Sequence, residues 1–320
     1  MTQESISSRL KSQKVTWTKT TRRNFISGIS FVSVWIIGFL VFTVYPMGSS
    51  LYYSFTEYHV KKPPVFIGLQ NYVYLLEKDP YFWLSLKNTF YMVLIAVPLT
   101  LLFSFICALL LNFKIKGQSL YRVIYFLPSI VPTVSSTLLF MWILNPNSGM
   151  INQILELVGM HSPDWFHDPF WSKPALMIMG FWGMGQTIVI YLSGLQDVPV
   201  SLIEAADLDG ANWFQRLWHI TIPIVSPLTL FNLITGVIAM FQYFTQAYLF
   251  ASASGSVMNS SSLGAPLGST LFYSVYLYFL GFNQFNMGAA SAMAWILFLI
   301  ILVCTLILLR VSKRWTYYLG

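Results

Sequence analysis

Charge is what this 320-residue chain has least of: Asp, Glu, Lys and Arg make up 9% of it, against roughly a quarter in ordinary soluble domains. With 56% of the residues hydrophobic, too few solvated groups remain to cover the rest, which excludes an ordinary soluble protein. Cysteine is nearly absent. Cys107 and Cys304 both fall inside apolar runs, where they read as packing residues and say little about redox compartment. No GxxxxGK[ST] run occurs, so the chain cannot cradle ATP phosphates in a P-loop. The interiors of the apolar runs contain no Asp, Glu, Lys, Arg or His, whereas proton-coupled transporters generally rely on intramembrane ionisable groups. Energy for any transport would come from a partner or a gradient, and the missing charges argue for an external motor.

What the chain does have is apolar length. Six runs free of Asp, Glu, Lys and Arg, at residues 25–45, 89–113, 123–144, 175–195, 228–250 and 287–309, are each long enough to cross a ~30 Å hydrocarbon layer as roughly 20 helical residues. They predict an all-α membrane protein with six spans in one bundle. Of the 18 Lys and Arg, only Lys61, Lys62, Lys78, Lys87 and Lys173 fall on one side of that arrangement. Arg9, Lys11, Lys14, Lys19, Arg22, Arg23, Lys114, Lys116, Arg122, Arg216, Arg310, Lys313 and Arg314 fall on the other, which places both termini in the cytoplasm. The net charge of +7 is thus mostly topological, and no reading module points to nucleic acid. The first run is longer than the 7–15 apolar residues typical of a signal peptide, and no A-x-A site precedes Tyr45-Pro46, so it reads as a retained anchor.

The resulting division is a basic cytoplasmic tail (1–24), a first membrane helix (25–46), an extracellular segment (47–87), a membrane domain (88–312) and a cytoplasmic C-terminus (313–320). In the extracellular segment, helical spacing over 66–76 predicts a short interfacial helix. Pro98, Pro128 and Pro132 lie within spans, where proline kinks a helix; the kinks either line a cavity or reflect irregular packing. The outer loop 145–173 brings His161 and His167 near Asp164 and Asp168, but the spacing matches no metal-ligand pattern and reads as solvated. In the fifth span Asn232, Thr235, Ala239, Gln242 and Gln246 are spaced three and four apart, which predicts one stripe down a single helix face. At about 1.5 Å per residue the stripe rises about 21 Å, most of the hydrocarbon depth. Any one of these polar groups can simply bond a neighbouring helix. As a set they read as a pathway.

Between the fourth and fifth spans lies a polar island, SLIEAADLDGANWFQRLWHITIP (201–223). Ser201 followed by Glu204 predicts a capping box and a helix from about Leu202. Gly210 suits the left-handed position that ends such a helix, and Trp213, Phe214 and Leu217 at helical spacing predict a second short helix. The island is then a helix-turn-helix outside the lipid. Ala205 and Ala206 give it a shallow face, flanked by the carboxylates of Glu204, Asp207 and Asp209. With Asp197 these carboxylates make the loop acidic, against Arg216 alone, and would complement a basic rim on a partner. They equally favour helix N-termini.

Glu204-Ala205-Ala206, three residues, Gly210, nine residues, then Ile220-x-Ile222-Pro223 resembles the EAA loop (EAA, x3, G, x9, I-x-L-P) of ABC-importer permeases, departing only at Ile222. YLSGLQDVP (191–199) and MFQYFTQAY (240–248) resemble the carbohydrate branch of that family, and the likeness runs from about Trp35 to the C-terminus. The resemblance implies the type I importer (MetI-like) six-helix fold in a bacterial or archaeal cell membrane. It implies a coupling role for Glu204, Ala205, Ala206, Asp207, Asp209, Gly210 and Pro223. The partners implied are a second related permease, two copies of a cytoplasmic ATPase and an extracellular solute-binding protein. The large outer domain of the maltose permease is absent from this chain. The resemblance also implies sugar contacts at Trp182, Gly183, Gln186 and Thr187, with Tyr243 and the stripe opposite. There Trp182, Tyr243 and Phe244 could stack on a pyranose while amides bind its hydroxyls, or could merely pack.

The expected function is therefore a permease subunit for a neutral oligosaccharide, with no cofactor, no metal and no catalytic residue of its own. Import of another solute such as glycerol phosphate by the same architecture, or a membrane-bound enzyme, are the alternatives. The enzyme lacks paired carboxylates or an activated nucleophile at membrane depth.

Overall fold

Apolar side chains this dense are accommodated by packing on each other or by facing lipid, and helices satisfy their own backbone while doing either. The computed structural model of the chain describes residues 18–60, 62–113, 116–253, 263–264 and 266–317 and is accordingly mostly helical. Residues 1–17 of the basic tail, with Arg9, Lys11 and Lys14, lie outside the described residues, as do Lys61 and Lys114. The chain forms two compact units, residues 1–52 and 53–320.

The first unit is a helical run. Helix α1 (Lys19–Phe39) is capped by the Thr18 side chain, which accepts from the Thr21 N–H at 3.2 Å. It continues through a π-helical turn, Leu40–Val44, into α2 (Tyr45–Ser54). No side chain of α1 is buried, and a helix apolar on all sides suits lipid.

In the second unit β1 (Thr56–Glu57) pairs antiparallel with β2 (Val65–Phe66), and α3 (Gln70–Val73) follows, ending in a π-helical turn at Tyr74–Lys78. The interfacial helix predicted over 66–76 therefore starts late. Phe66 is taken by the hairpin, which the Ile67 N–H extends by donating to Phe55 O at 2.9 Å.

Helix α4 (Pro80–Asn112) is the spine of this unit. It begins at Pro80 rather than Thr89 because Asp79 caps it: one carboxylate oxygen accepts from Tyr81 N–H at 2.9 Å and Phe82 N–H at 3.4 Å, and proline suits the first helical turn. Pro98 lies within α4 without ending it. Asp79 is 4% exposed, and its other oxygen accepts the Tyr276 hydroxyl at 2.5 Å. Tyr276→Phe leaves that oxygen buried and unpaired. The prediction is a loss of about 1–3 kcal/mol, read as a lower Tm in detergent; an unchanged Tm would show that the bond contributes nothing.

The third predicted span is broken. Helix α5 (Gln118–Phe126) passes into a 3-10 turn, Leu127–Ile130, and the chain bends by 100° before α6 (Thr133–Ile143). Pro132 explains the break, since it drives the residue before it out of helical geometry, and Val131 is extended at φ −67°, ψ 131°. After α7 (Met150–Leu157), the fourth predicted span bends by 52° between α8 (Pro169–Trp182) and α9 (Gly185–Gln196). No proline marks this second break. A tight turn makes it, Gly183 N–H to Gly180 O at 3.1 Å and Met184 N–H to Phe181 O at 3.3 Å.

The remaining helices are α10 (Val200–Leu208), α11 (Trp213–Arg216), α12 (Ile222–Phe241), α13 (Thr245–Ala253), α14 (Tyr273–Tyr278) and α15 (Met287–Ser312). Four runs, Lys19–Ser54, Pro80–Asn112, Trp213–Ser252 and Met287–Ser312, are long and apolar enough to cross a membrane, and the two bent pairs make six if each is one span.

Packing centres on α4, which contacts α9, α12 and α14. One core cluster gathers Phe82, Met92, Val97, Phe241, Tyr273 and Met293; a second gathers Ala108, Leu111, Ile188, Tyr191, Leu195 and Val225. Buried polar groups fasten a distant segment to α4. The Asn88 side-chain N–H donates to Gly268 O at 2.7 Å and Leu271 O at 3.0 Å, and Thr89 Oγ1 accepts from Tyr273 N–H at 2.9 Å.

Candidate functional site

The polar island 201–223 folds as a hook whose ends are almost fully satisfied locally. Helix α10 opens at Val200 with Pro199 at its N-cap and no side-chain cap, so the capping box predicted at Ser201 and Glu204 does not form. Pro199, fixed at φ −59°, starts the helix early enough that Ser201 already belongs to its first turn. At the other end Gly210 is left-handed, φ 78°. Its N–H reaches Asp207 O at 3.1 Å, and the Ala211 N–H reaches Ala206 O at 2.9 Å, the paired bonds of a Schellman turn. A capping box does occur one helix later. Asn212 Oδ1 accepts from Gln215 N–H at 2.9 Å, and Gln215 Oε1 accepts from Asn212 N–H at 2.8 Å.

The second helix of the hook is not short. From α11 the chain passes through a π-helical turn, Leu217–Thr221, straight into α12, giving the run Trp213–Ser252. Pro223 falls in the first turn of α12, where its missing N–H is tolerated. Glu204, Ala205, Asp207, Asp209 and Gly210 are exposed, and Ala206 and Pro223 half-buried. Asp207 is engaged by Arg216 in an ion pair.

A cavity of about 400 Å³ lies between α4, α8, α9 and the α12–α13 run. Asn232, Thr235, Ala239, Tyr243 and Gln246 line it together with Gln186 and Thr187, so most of the predicted stripe shares one space with two residues of the predicted facing wall. Trp182, Gly183 and Gln242 are not among its lining residues. Trp182 packs edge-on against Phe140, centroids 5.6 Å apart, and Gly183 makes the turn between α8 and α9.

The spacing predicts one continuous helical face from Asn232 to Gln246, and here the structure differs. Helix α12 ends at Phe241, Gln242 is its C-cap at φ −97°, ψ 15°, and residues 243–244 are non-helical before α13. The break lets large aromatics pack: Tyr243 sits edge-on to Phe272 at 5.6 Å, and Phe244 packs on Tyr248 and Tyr278, each at 5.2 Å. It leaves Gln242 exposed while Gln246 stays at the cavity. Thr100 on α4 also lines it, a contribution missed because an isolated threonine in an apolar span carries no periodic signal.

The cavity wall contains no Asp, Glu, Lys, Arg or His. Two of its lining residues bury their polar ends beneath the cavity surface: Asn232, 5% exposed, keeps its amide beside the Tyr191 hydroxyl, and the Tyr243 hydroxyl is enclosed. The polar groups a guest can reach are the Gln186 and Gln246 amides and the Thr100 and Thr187 hydroxyls, so the wall is chemically disposed toward a guest with hydroxyl groups. Thr235 is not available in the same way, since its hydroxyl donates to Phe231 O at 2.9 Å.

In the loop between α7 and α8 Asp164 accepts from His167 Nδ1 at 3.0 Å, and Asp168 caps α8 through the Phe170 N–H at 2.8 Å. Partial desolvation pushes the Asp164 carboxyl up, but hydrogen bonds from the His167 side chain and from the His167 and Phe166 backbones outweigh it and hold the group below its ordinary value. These carboxylates serve the loop's own turns.

Residues 100–317 match the family described as binding-protein-dependent transport system inner membrane component. The chain is 41% identical to the probable ABC transporter permease protein YesP of Bacillus subtilis, covering 94% of each chain. It is 31% identical to the arabinooligosaccharides transport system permease protein AraP of Halalkalibacterium halodurans, covering 86% of this chain and 84% of that one. In fold it is similar to a chain of a bacterial alginate ABC transporter solved with an alginate-bound periplasmic protein, at TM-score 0.74 and 22% identity over 92% of this chain and 96% of that one. The uncharged cavity, the hook and these likenesses agree, and the chain belongs to the binding-protein-dependent transport system inner membrane component family, the permease subunits of ABC importers.

Proposed function

We propose that the chain forms half of the translocation pathway of an ATP-driven importer for a neutral oligosaccharide, paired with a second, related permease. Two copies of a cytoplasmic ATPase and an extracellular solute-binding protein complete the assembly. Both termini and the 201–223 hook face the cytoplasm, as the distribution of Lys and Arg favours. The hook meets the ATPase through Glu204, Ala205, Ala206, Asp209 and Gly210, with Asp207 and Pro223 setting its shape. ATP-driven closure of the ATPases rocks the bundle between outward- and inward-facing states.

One observation carries the cargo class: the cavity offers amides, hydroxyls and the rings of Phe231 and Tyr243 but no Asp, Glu, Lys, Arg or His. An anionic solute would be expected to meet a cation, and none lines the wall, whereas sugar hydroxyls can pair with the Gln186 and Gln246 amides and the Thr187 hydroxyl. The relative AraP is named for arabino-oligosaccharides, in keeping with this class. Competition for uptake in membrane vesicles tests it, with neutral arabino- and malto-oligosaccharides set against glycerol phosphate. Better competition by the phosphate than by every neutral sugar would overturn the reading.

The break at residues 242–244 supplies an internal control. Gln246→Leu, at the cavity, is predicted to lower uptake by about tenfold, the loss of one or two substrate hydrogen bonds. Gln242→Leu, pointing away, is predicted to leave it within about twofold. Equal effects of the two changes would move the pathway off this cavity.

A further inference from the structure

The hook is not packed solidly against the bundle. A second cavity, of about 270 Å³, lies behind it, with Ile203 of α10 and Trp213 and Arg216 of α11 on one side and Leu109 and Phe113 near the end of α4 and Leu195 of α9 on the other. A force applied to α10 is therefore poorly carried inward by direct packing, since a void has no partner atoms to push on. Two links remain between α10 and the long run that begins at Trp213. One is the turn through Gly210 and Ala211, closed by the Schellman bonds and the Asn212–Gln215 capping box. The other is the ion pair of Asp207 with Arg216, side chains 50% and 25% exposed, which ties the last turn of α10 to α11 across the loop. Helix α11 continues into α12, which carries Asn232, Thr235 and Ala239 to the wall of the uncharged cavity.

We infer that Asp207 and Arg216 act on each other rather than on the ATPase, as a brace that makes the hook and the α12 run move as one lever. The inference rests on the docking role proposed for the hook and assigns Asp207 a positioning task within it. A turn alone can flex at Gly210; the ion pair adds a second point of attachment and so fixes the angle between the two helices. An ion pair this exposed contributes little to folding, so its loss should show in transmission and not in assembly.

The test uses the complete transporter in proteoliposomes, with Cys107 and Cys304 replaced by alanine and a single cysteine at position 239 in the cavity. The rate at which a water-soluble maleimide labels that cysteine is measured with and without ATP plus vanadate. Asp207→Arg and Arg216→Asp, each alone, are expected to shrink the nucleotide-dependent change about fivefold or more while the ATPase still co-purifies. The combined D207R/R216D protein is expected to recover the change to within about twofold. Asp207→Asn, a milder alteration, should reduce the change in the same direction. A full response in both single variants, no recovery in the reversed pair, or loss of the ATPase from the single variants would each overturn the brace. Glu204→Lys separates this from the reading beneath it: if that variant keeps both the ATPase and the nucleotide response, docking through the hook is what fails.

Discussion

Lysine in place of Glu204 is expected to cut ATP-driven uptake by about tenfold or more while the chain remains inserted and bound to its permease partner. Glu204 is exposed on α10 and makes no ion pair among the described residues. Its replacement therefore breaks no ion pair, unlike a change at Asp207. What it alters is the surface of the hook, where a carboxylate becomes an ammonium beside the small Ala205 and Ala206. If a basic rim receives the hook, reversing the charge replaces attraction with like-charge repulsion, and a penalty of about 1.4 kcal/mol already accounts for tenfold. ATP hydrolysis, sugar uptake and ATPase co-purification should be read together. Full uptake by the lysine variant would remove Glu204 from the coupling surface.

The other large effect is expected at Gly185. A Cβ built there would lie 2.4 Å from Tyr125 O and 3.0 Å from Phe126 Cα. Both are backbone atoms, which cannot rotate away as the tip of a side chain can. Helix α9 thus enters the bundle with its backbone against the end of α5, just after the bend in the 175–195 run. Gly185→Val must force these elements apart, and the prediction is a loss of about 1–3 kcal/mol together with altered cavity access, because Gln186 and Thr187 follow directly on α9. Gly185→Ala should act in the same direction by a smaller amount. Gly38→Ala, where an added Cβ meets nothing within 4 Å, is the control expected to leave Tm unchanged. A valine variant that melts and transports like the parent would show that α5 and α9 do not approach this closely.

Much of the hook was legible because its determinants are local. Gly210 ends α10 since only a residue without a Cβ takes φ near 78° at low cost, and the bonds around it span a few residues. The Ser201–Glu204 box failed for a reason of the same local kind: Pro199 had already started the helix, and the acceptor pattern was realised instead at Asn212 and Gln215. Along the stripe, spacing alone placed Asn232, Thr235, Ala239 and Gln246 on one cavity but could not foresee that Tyr243 and Phe244 would break the helix to reach aromatic partners, Phe272 and Tyr278, far along the chain.

By itself, then, the sequence determined the membrane class, the apolar runs, the turn at Gly210 and the family to which the motif belongs, because length, composition and neighbouring residues decide those. Only the tertiary structure decided that the 175–195 run bends at Gly183, that Gln242 faces away, that Arg216 engages Asp207 behind a void, and that Asn88 and Thr89 hold the 268–273 segment. Each of these depends on which surfaces meet in space. Contacts between helices distant in the chain leave no periodic trace in the residues that make them.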